Sequence, residues 1–192
     1  MKLKCVIFDM DGTVVDVPYD WESIKKELMI QGDSILNFIH KLNEEERTKK
    51  WKILEKYENE ATMGAILKEG IPEFLDFLDK SRIKKALVTN NSRRNVDFLL
   101  KKFHLKFDCV VSRESGLWKP SGAPLIAALR ILKLNKEECC VVGDSHFDIK
   151  AAEEAGINRV FILNKDEKKF ASTKADIFPS VKSLRKRIEY FI

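Results

Sequence analysis

Short apolar runs alternate along this chain with stretches in which apolar residues recur every three or four positions. Leu3 to Phe8, broken only by Lys4, is the first run, and it stops at Asp9. Ala86-Leu87-Val88, Asp108 to Ser112, Cys139 to Val142, Arg159 to Leu163 and Ala175 to Phe178 are the others. Runs of this length bounded by polar residues predict buried strands. Between them lie helical stripes: Phe74, Leu75, Phe77 and Leu78 behind Pro72, then Val96, Leu99, Leu100 and Phe103. Pro124 to Leu132, Ser145 to Ala155 and Val181 to Tyr190 continue the series. Pro72 suits a first helical turn, where its missing N–H has no partner to lose. Strand and helix in alternation predict an α/β fold: a doubly wound parallel sheet with right-handed crossovers and helices on both faces.

Residues 17–70 break that rhythm. They are polar and carry three helical stripes: Trp21, Ile24 and Leu28; Ile35, Leu36, Ile39 and Leu42; Trp51, Leu54, Tyr57 and Ala61. Trp21, Trp51 and Tyr57 are the expected aromatic anchors. A stretch of this length is too long for an ordinary connection between strand and helix. It predicts a small helical unit, residues 17–70, inserted into a core of residues 1–16 and 71–192, beside the strand tips where function concentrates. No internal repeat or low-complexity segment is evident.

Composition narrows the class. The net charge is +5, but Lys and Arg are interleaved with Asp and Glu, and charged residues make up 34% of the chain against the usual quarter. RNP, helix-turn-helix and zinc-finger patterns are missing, so no nucleic-acid partner is expected. No twenty-residue apolar run is present, so no membrane span is expected. The N-terminus runs straight into the first strand, which leaves no room for a signal peptide and predicts a cytoplasmic chain. Cys5, Cys109, Cys139 and Cys140 sit in or beside strand-like runs without metal-ligand spacing, so they read as core thiols. Oligomeric state is not legible in the sequence.

The candidate chemistry sits at the strand ends. Asp9 and Asp11 follow the first strand, and Gly12 and Thr13 turn the chain. Two close carboxylates repel, and a cation between them lets both ionise. One then serves as a metal-bound nucleophile and the other as an acid/base. Taken alone, the same Asp-x-Asp-Gly is equally good turn chemistry. Thr89 and Asn90 end the second core strand, Lys119 lies in the loop after the third, and Asp144 and Asp148 follow the fourth. Each also has an ordinary role: a helix cap for Thr89 and Asn90, a solvated loop for Lys119, an N-cap and an exposed face for the last two. Taken together they supply a nucleophile, a proton donor, a hydroxyl donor, a cation and a metal ligand, as phosphoryl transfer to a carboxylate requires.

These segments resemble the haloacid dehalogenase superfamily. DMDGT is similar to its first motif, VTNN to its second, KP to its third and GDSHFD to its fourth. The insertion lies where the family's helical (C1-type) cap lies, and VVDVPYDW is similar to phosphoglycolate-phosphatase-like members. The resemblance implies a Rossmann-like core and a Mg²⁺-dependent phosphatase acting on a small phosphorylated metabolite, phosphoglycolate first. It implies that Asp9 forms an aspartyl-phosphate and that Asp11 is the acid/base. Mg²⁺ would sit on the Asp9 carboxylate, the Asp11 backbone carbonyl and Asp144. Thr89, Asn90 and Lys119 would bind the phosphoryl group, with Asp148 orienting Lys119 or a metal-bound water. Dehalogenases of the superfamily lack an acid at the Asp11 position, so hydrolysis of a carbon–halogen bond is disfavoured.

Competing readings remain. A sugar-phosphate phosphomutase of the same superfamily shares every core residue. A signalling receiver places its phosphorylated Asp on a later strand and has no helical insert. No Gly-x-Gly-x-x-Gly follows a strand, which disfavours a dinucleotide site. A non-enzymatic phospho-acceptor or binding protein is the most distant alternative. Arg47, Lys49 and Lys50 are weak candidates for a substrate carboxylate, and Arg93, Arg94 and His146 lie nearer the motif loops.

Overall fold

The computed structural model describes residues 2–30, 32 and 34–192. The chain divides into two compact units, residues 1–16 with 67–192 and residues 17–66.

The larger unit is built on a six-stranded sheet. Its strands are β1 (Cys5–Phe8), β4 (Lys84–Val88), β5 (Cys109–Val111), β6 (Cys139–Gly143), β7 (Val160–Leu163) and β8 (Asp176–Phe178). They run in the order β5-β4-β1-β6-β7-β8, all parallel. The first strand is therefore central, between β4 and β6, with Phe8 level with Leu87 on one side and Val142 on the other. That register brings the tips of β1, β4 and β6 to one edge.

Both faces of β1 are covered, which is why its sequence is an apolar run rather than an alternation. Cys5 and Ile7 join Ala86, Val88, Cys139 and Val141 in a cluster with Leu125, Ala128 and Leu129 of α6 (Ala123–Leu132) and Ile149 and Ala152 of α7 (His146–Ala155). On the other face the Phe8 ring meets Phe74 of α4 (Ile71–Lys80) edge-on, with centroids 5.7 Å apart. The helix α8 (Val181–Glu189) packs beside α4. Between β4 and β5 the chain forms α5 (Arg93–Lys102), capped by Ser92. All four cysteines are buried free thiols.

All six strand expectations shift at their ends: β1 begins at Cys5 rather than Leu3, β4 begins at Lys84 rather than Ala86, and β6 runs on to Gly143. Asp108 stays outside β5 because its carboxylate accepts from Lys84 Nζ (2.7 Å) and the Lys85 N–H (2.9 Å). Ser112 is drawn out at the other end by Glu114, 2.9 Å away. Arg159 and Ala175 likewise lie just outside β7 and β8. Two strands went unforeseen: β2 (Val15–Asp16) and β3 (Ile66–Leu67) form a two-stranded sheet, and two residues are too few to show a period.

The smaller unit holds α1 (Trp21–Glu27), α2 (Ile35–His40) and α3 (Glu44–Met63). Asp20, Ser34 and Asn43 cap them, each accepting an N–H three residues on. Ile24, Leu28, Ile35, Leu36 and Ile39 are buried as expected. The aromatic anchors are not. Trp21 is 46% exposed and stacks on Tyr19 with centroids 4.5 Å apart. On α3 the buried stripe is Leu54, Glu58 and Thr62, because α1 and α2 cover only one narrow side of a long polar helix. Tyr57 is half-buried at its flank and donates its hydroxyl to Glu27. No described helix is long and apolar enough to cross a membrane.

Candidate active site

Three strand tips and one loop build the site. Asp9 leaves β1, with its N–H bonded to Val142 O at 2.8 Å, so the end of β6 fixes its main chain. Gly12 then turns the chain at φ +84°, a conformation that suits glycine. The turn is tight against β6. A Cβ built on Gly12 would lie 2.2 Å from Asp144 Oδ2.

Lys119 reaches in from the loop before α6. Its Nζ lies 2.6 Å from Asp9 Oδ1 and 2.6 Å from Asp148 Oδ1. The Lys119 side chain is 5% exposed, Asp148 1% and Asp9 11%. Burial alone would lower the Lys119 pKa, but the Asp148 and Asp9 charges outweigh it and hold the ammonium above its ordinary value. The solvated-lysine alternative therefore fails.

Asp148 lies in the first turn of α7, where its burial ends the exposed-face alternative. Its second oxygen accepts from the Asp144 N–H (3.2 Å), the Ser145 N–H (3.1 Å) and the Ser145 hydroxyl (2.7 Å). Ser145 and Asp148 thus form a capping box at the start of α7. With one oxygen on Lys119 and the other on three donors, Asp148 is a brace.

Asp9, Asp144 and Asp148 each place a carboxylate oxygen within 4.8 Å of the others. Burial raises the Asp9 pKa to about 6, with Lys119 opposing the shift. Burial, then the Asp9 and Asp148 charges, push Asp144 up to about 8. The cluster carries more negative charge than Lys119 offsets. Asp148 is fully engaged, so Asp9 and Asp144 are the carboxylates left to meet a cation, and hard oxygen donors in excess of positive charge fit a small divalent ion.

At the tip of β4, Thr89 is buried and its Oγ1 accepts from the Asn91 N–H at 3.1 Å, which leaves the hydroxyl proton to donate. Asn90 and Asn91 diverge. The Asn90 side chain donates to Lys119 O and accepts from Lys119 N, both at 2.8 Å. Asn91 Nδ2 donates to Asp11 Oδ2 at 3.0 Å.

Residues 18–162 match the haloacid dehalogenase-like hydrolase family, a span that takes in Thr89, Lys119, Asp144 and Asp148 and begins after Asp9 and Asp11. This chain belongs to the haloacid dehalogenase-like hydrolases. A haloacid dehalogenase-like hydrolase domain-containing protein of Arabidopsis thaliana is 27% identical over 168 residues, which cover 81% of this chain and 69% of that one. The phosphoglycolate phosphatase of Chromobacterium violaceum is 26% identical over 80% of this chain and 82% of its own. Pyrophosphatase PpaX of Bacillus cereus is 29% identical over 81% of each. In fold, a HAD-superfamily hydrolase from Ehrlichia chaffeensis superposes with a TM-score of 0.68 at 22% identity, covering 99% of this chain and 98% of that one.

In this haloacid dehalogenase-like hydrolase, Asp9, Lys119, Asp144 and Asp148 converge, and Asp11 is tied to the β4 tip. The Asn90 side chain is engaged with the Lys119 main chain. Asn91 is a further contributor that the sequence does not single out, because two consecutive asparagines after a strand read equally well as turn chemistry. Other candidates lie elsewhere in the network. Arg93 Nε pairs with Asp97 at 2.8 Å on an exposed helix face. His146 Nε2 contacts Lys169 O at 3.1 Å and its ring stacks on Phe170, so it fastens the start of α7. Lys49 pairs with Glu45 at 2.6 Å in the helical unit.

Proposed function

We propose that this hydrolase is a phosphatase that removes phosphate from a small phosphomonoester through an aspartyl-phosphate on Asp9. The observation that carries the reading is the Asp9–Lys119–Asp148 chain of buried ion pairs beside Asp144. Lys119, 2.6 Å from Asp9, keeps the carboxylate ionised and aimed as the nucleophile. Asp11 protonates the leaving oxygen and then takes a proton from the attacking water, work typically worth about 10²–10⁴-fold. The Thr89 hydroxyl and Lys119 offset charge on the transferring phosphoryl oxygens. Asp9 and Asp144 would hold the metal, and Mg²⁺ is the ion we assign. When bound, it would supply charge neutralisation and Lewis acidity. We read the helical unit as the family's cap, the part that chooses the substrate. The relatives named as phosphoglycolate phosphatase and pyrophosphatase set the order of trial, phosphoglycolate before inorganic pyrophosphate.

The test is phosphate release from a panel of small phosphomonoesters and pyrophosphate, with Mg²⁺ and with EDTA, for wild type and Asp9→Asn. The expected result is Mg²⁺-dependent release that Asp9→Asn abolishes while the fold survives. Near-normal turnover by Asp9→Asn would overturn the nucleophile assignment. No release, with isomerisation of an added sugar phosphate, would make the protein a mutase.

A further inference from the structure

The two asparagines after Thr89 hold different parts of the site. Asn90 grips the main chain of Lys119 through paired 2.8 Å hydrogen bonds. Asn91 reaches Asp11 itself, a residue that enters from β1, and donates Nδ2 to Asp11 Oδ2 at 3.0 Å. The Asn91 amide cannot swing away. Its Oδ1 accepts from the Ser92 N–H at 2.7 Å and from Asn95 Nδ2 at 3.2 Å, and its own N–H is held by Thr89 Oγ1. Asn91 is 3% exposed and Asn95 4%. With the amide oxygen fixed by two donors, the NH₂ end is fixed toward Asp11.

We propose that Asn91 is the positioning residue for Asp11, and that through it the β4 tip determines how well the enzyme expels poor leaving groups. The inference rests on the phosphatase reading and assigns a task inside it. A donor on Oδ2 fixes the direction of the Asp11 carboxyl group. An acid that drifts costs little when the departing oxygen is a stable phenolate and much when it is an alkoxide. Loss of Asn91 therefore has a signature that general loosening of the site lacks: its size scales with leaving-group basicity.

The experiment measures kcat/KM, which reports transfer to Asp9, for an alkyl phosphate (phosphoglycolate) and an aryl phosphate (p-nitrophenyl phosphate). Wild type, Asn91→Ala, Asn95→Ala and Asn90→Ala are compared as full-length chains. Asn91→Ala is expected to lose about tenfold or more on the alkyl ester, a fraction of the acid's usual contribution, and under about threefold on the aryl ester. Asn95→Ala, which frees one of the two locks on the Asn91 amide, is expected to show the same bias at smaller size. It decides the matter if Asn91→Ala fails to fold. Asn90→Ala loosens Lys119 and is expected to lower both substrates alike. Equal losses on the two esters in Asn91→Ala, or no loss, would overturn the proposal while wild-type activity leaves the phosphatase reading standing. Wild type that releases phosphate from neither ester would sink that reading, and this inference with it.

Discussion

Lys119 and Asp148 form a buried ion pair 2.6 Å long, with side chains 5% and 1% exposed. Removing one member of such a pair strands the other, a cost of about 3–5 kcal/mol in typical cases. Asp148→Ala also removes the carboxylate that caps the start of α7 and holds Ser145. The expected outcome is destabilisation of that order in urea unfolding, with phosphate release lost as Lys119 is left with Asp9 alone to hold it. A variant with wild-type stability would show that the pair contributes little.

The metal-free protein is expected to lose stability as pH rises. Asp9 is raised to about 6 and Asp144 to about 8, both above their ordinary value of 3.8. A carboxyl with a raised folded pKa keeps its proton in the native state after the unfolded chain has released it. Its stabilisation is present below about pH 4 and disappears as pH climbs through the folded value. In EDTA, wild type should weaken relative to Asp144→Asn between about pH 4 and pH 8. Mg²⁺ should reverse the difference most at the alkaline end. Parallel pH curves for the two proteins would contradict the shift.

Gly12→Ala is a steric test of the same corner. Its Cβ would meet Asp144 Oδ2 at 2.2 Å, and φ +84° adds backbone strain. Strain of this kind costs about 1–3 kcal/mol. We expect Asp144 to be displaced, with weaker Mg²⁺ binding by calorimetry and at least a tenfold loss of phosphate release, a modest share of what a metal ligand supplies. Unchanged Mg²⁺ affinity would mean that Asp144 is not a ligand.

Thiol chemistry offers a check on the core. All four cysteines are buried and free, and burial raises the Cys109 and Cys140 thiols further from reactivity. A thiol reagent should titrate none in the native protein and all four in urea. Rapid native labelling would place at least one at the surface.

Much of the sheet was legible because its central strands are covered on both faces, so burial alone writes an apolar run at Val6–Phe8, Ala86–Val88 and Cys139–Val142. The polar residues ending those runs were legible as a set for the same reason, since a parallel register brings strand ends to one edge. What each polar side chain does there was less so. Asn90 and Asn91 have the same composition and adjacent positions, and only the tertiary fold turns one toward Lys119 and the other toward Asp11. The helical unit misled most at its aromatics. Trp21 and Tyr57 have the right spacing for a core stripe, but two short helices against one side of a long one bury too little surface to enclose them, and Leu54, Glu58 and Thr62 are buried instead. Asp148 shows the same limit, because a carboxylate in a first helical turn reads as exposed until a lysine from a distant loop is seen to meet it.

The central position of β1 has a consequence for how the protein is made. β1 is bonded on one side by β4 and on the other by β6, both of which follow it in the chain, and β6 ends at Gly143. Domains generally fold as units during synthesis. Here the β6 side of β1 has no native partner until Cys139–Gly143 has been translated. Asp9 and Asp11 are made first, and the groups that hold them arrive in turn: Asn91, then Lys119, then Asp148. A stalled or truncated chain that ends before β6 therefore carries the full DMDGT segment without the brace around it. Such a fragment should be inert and prone to mispairing along that open strand edge.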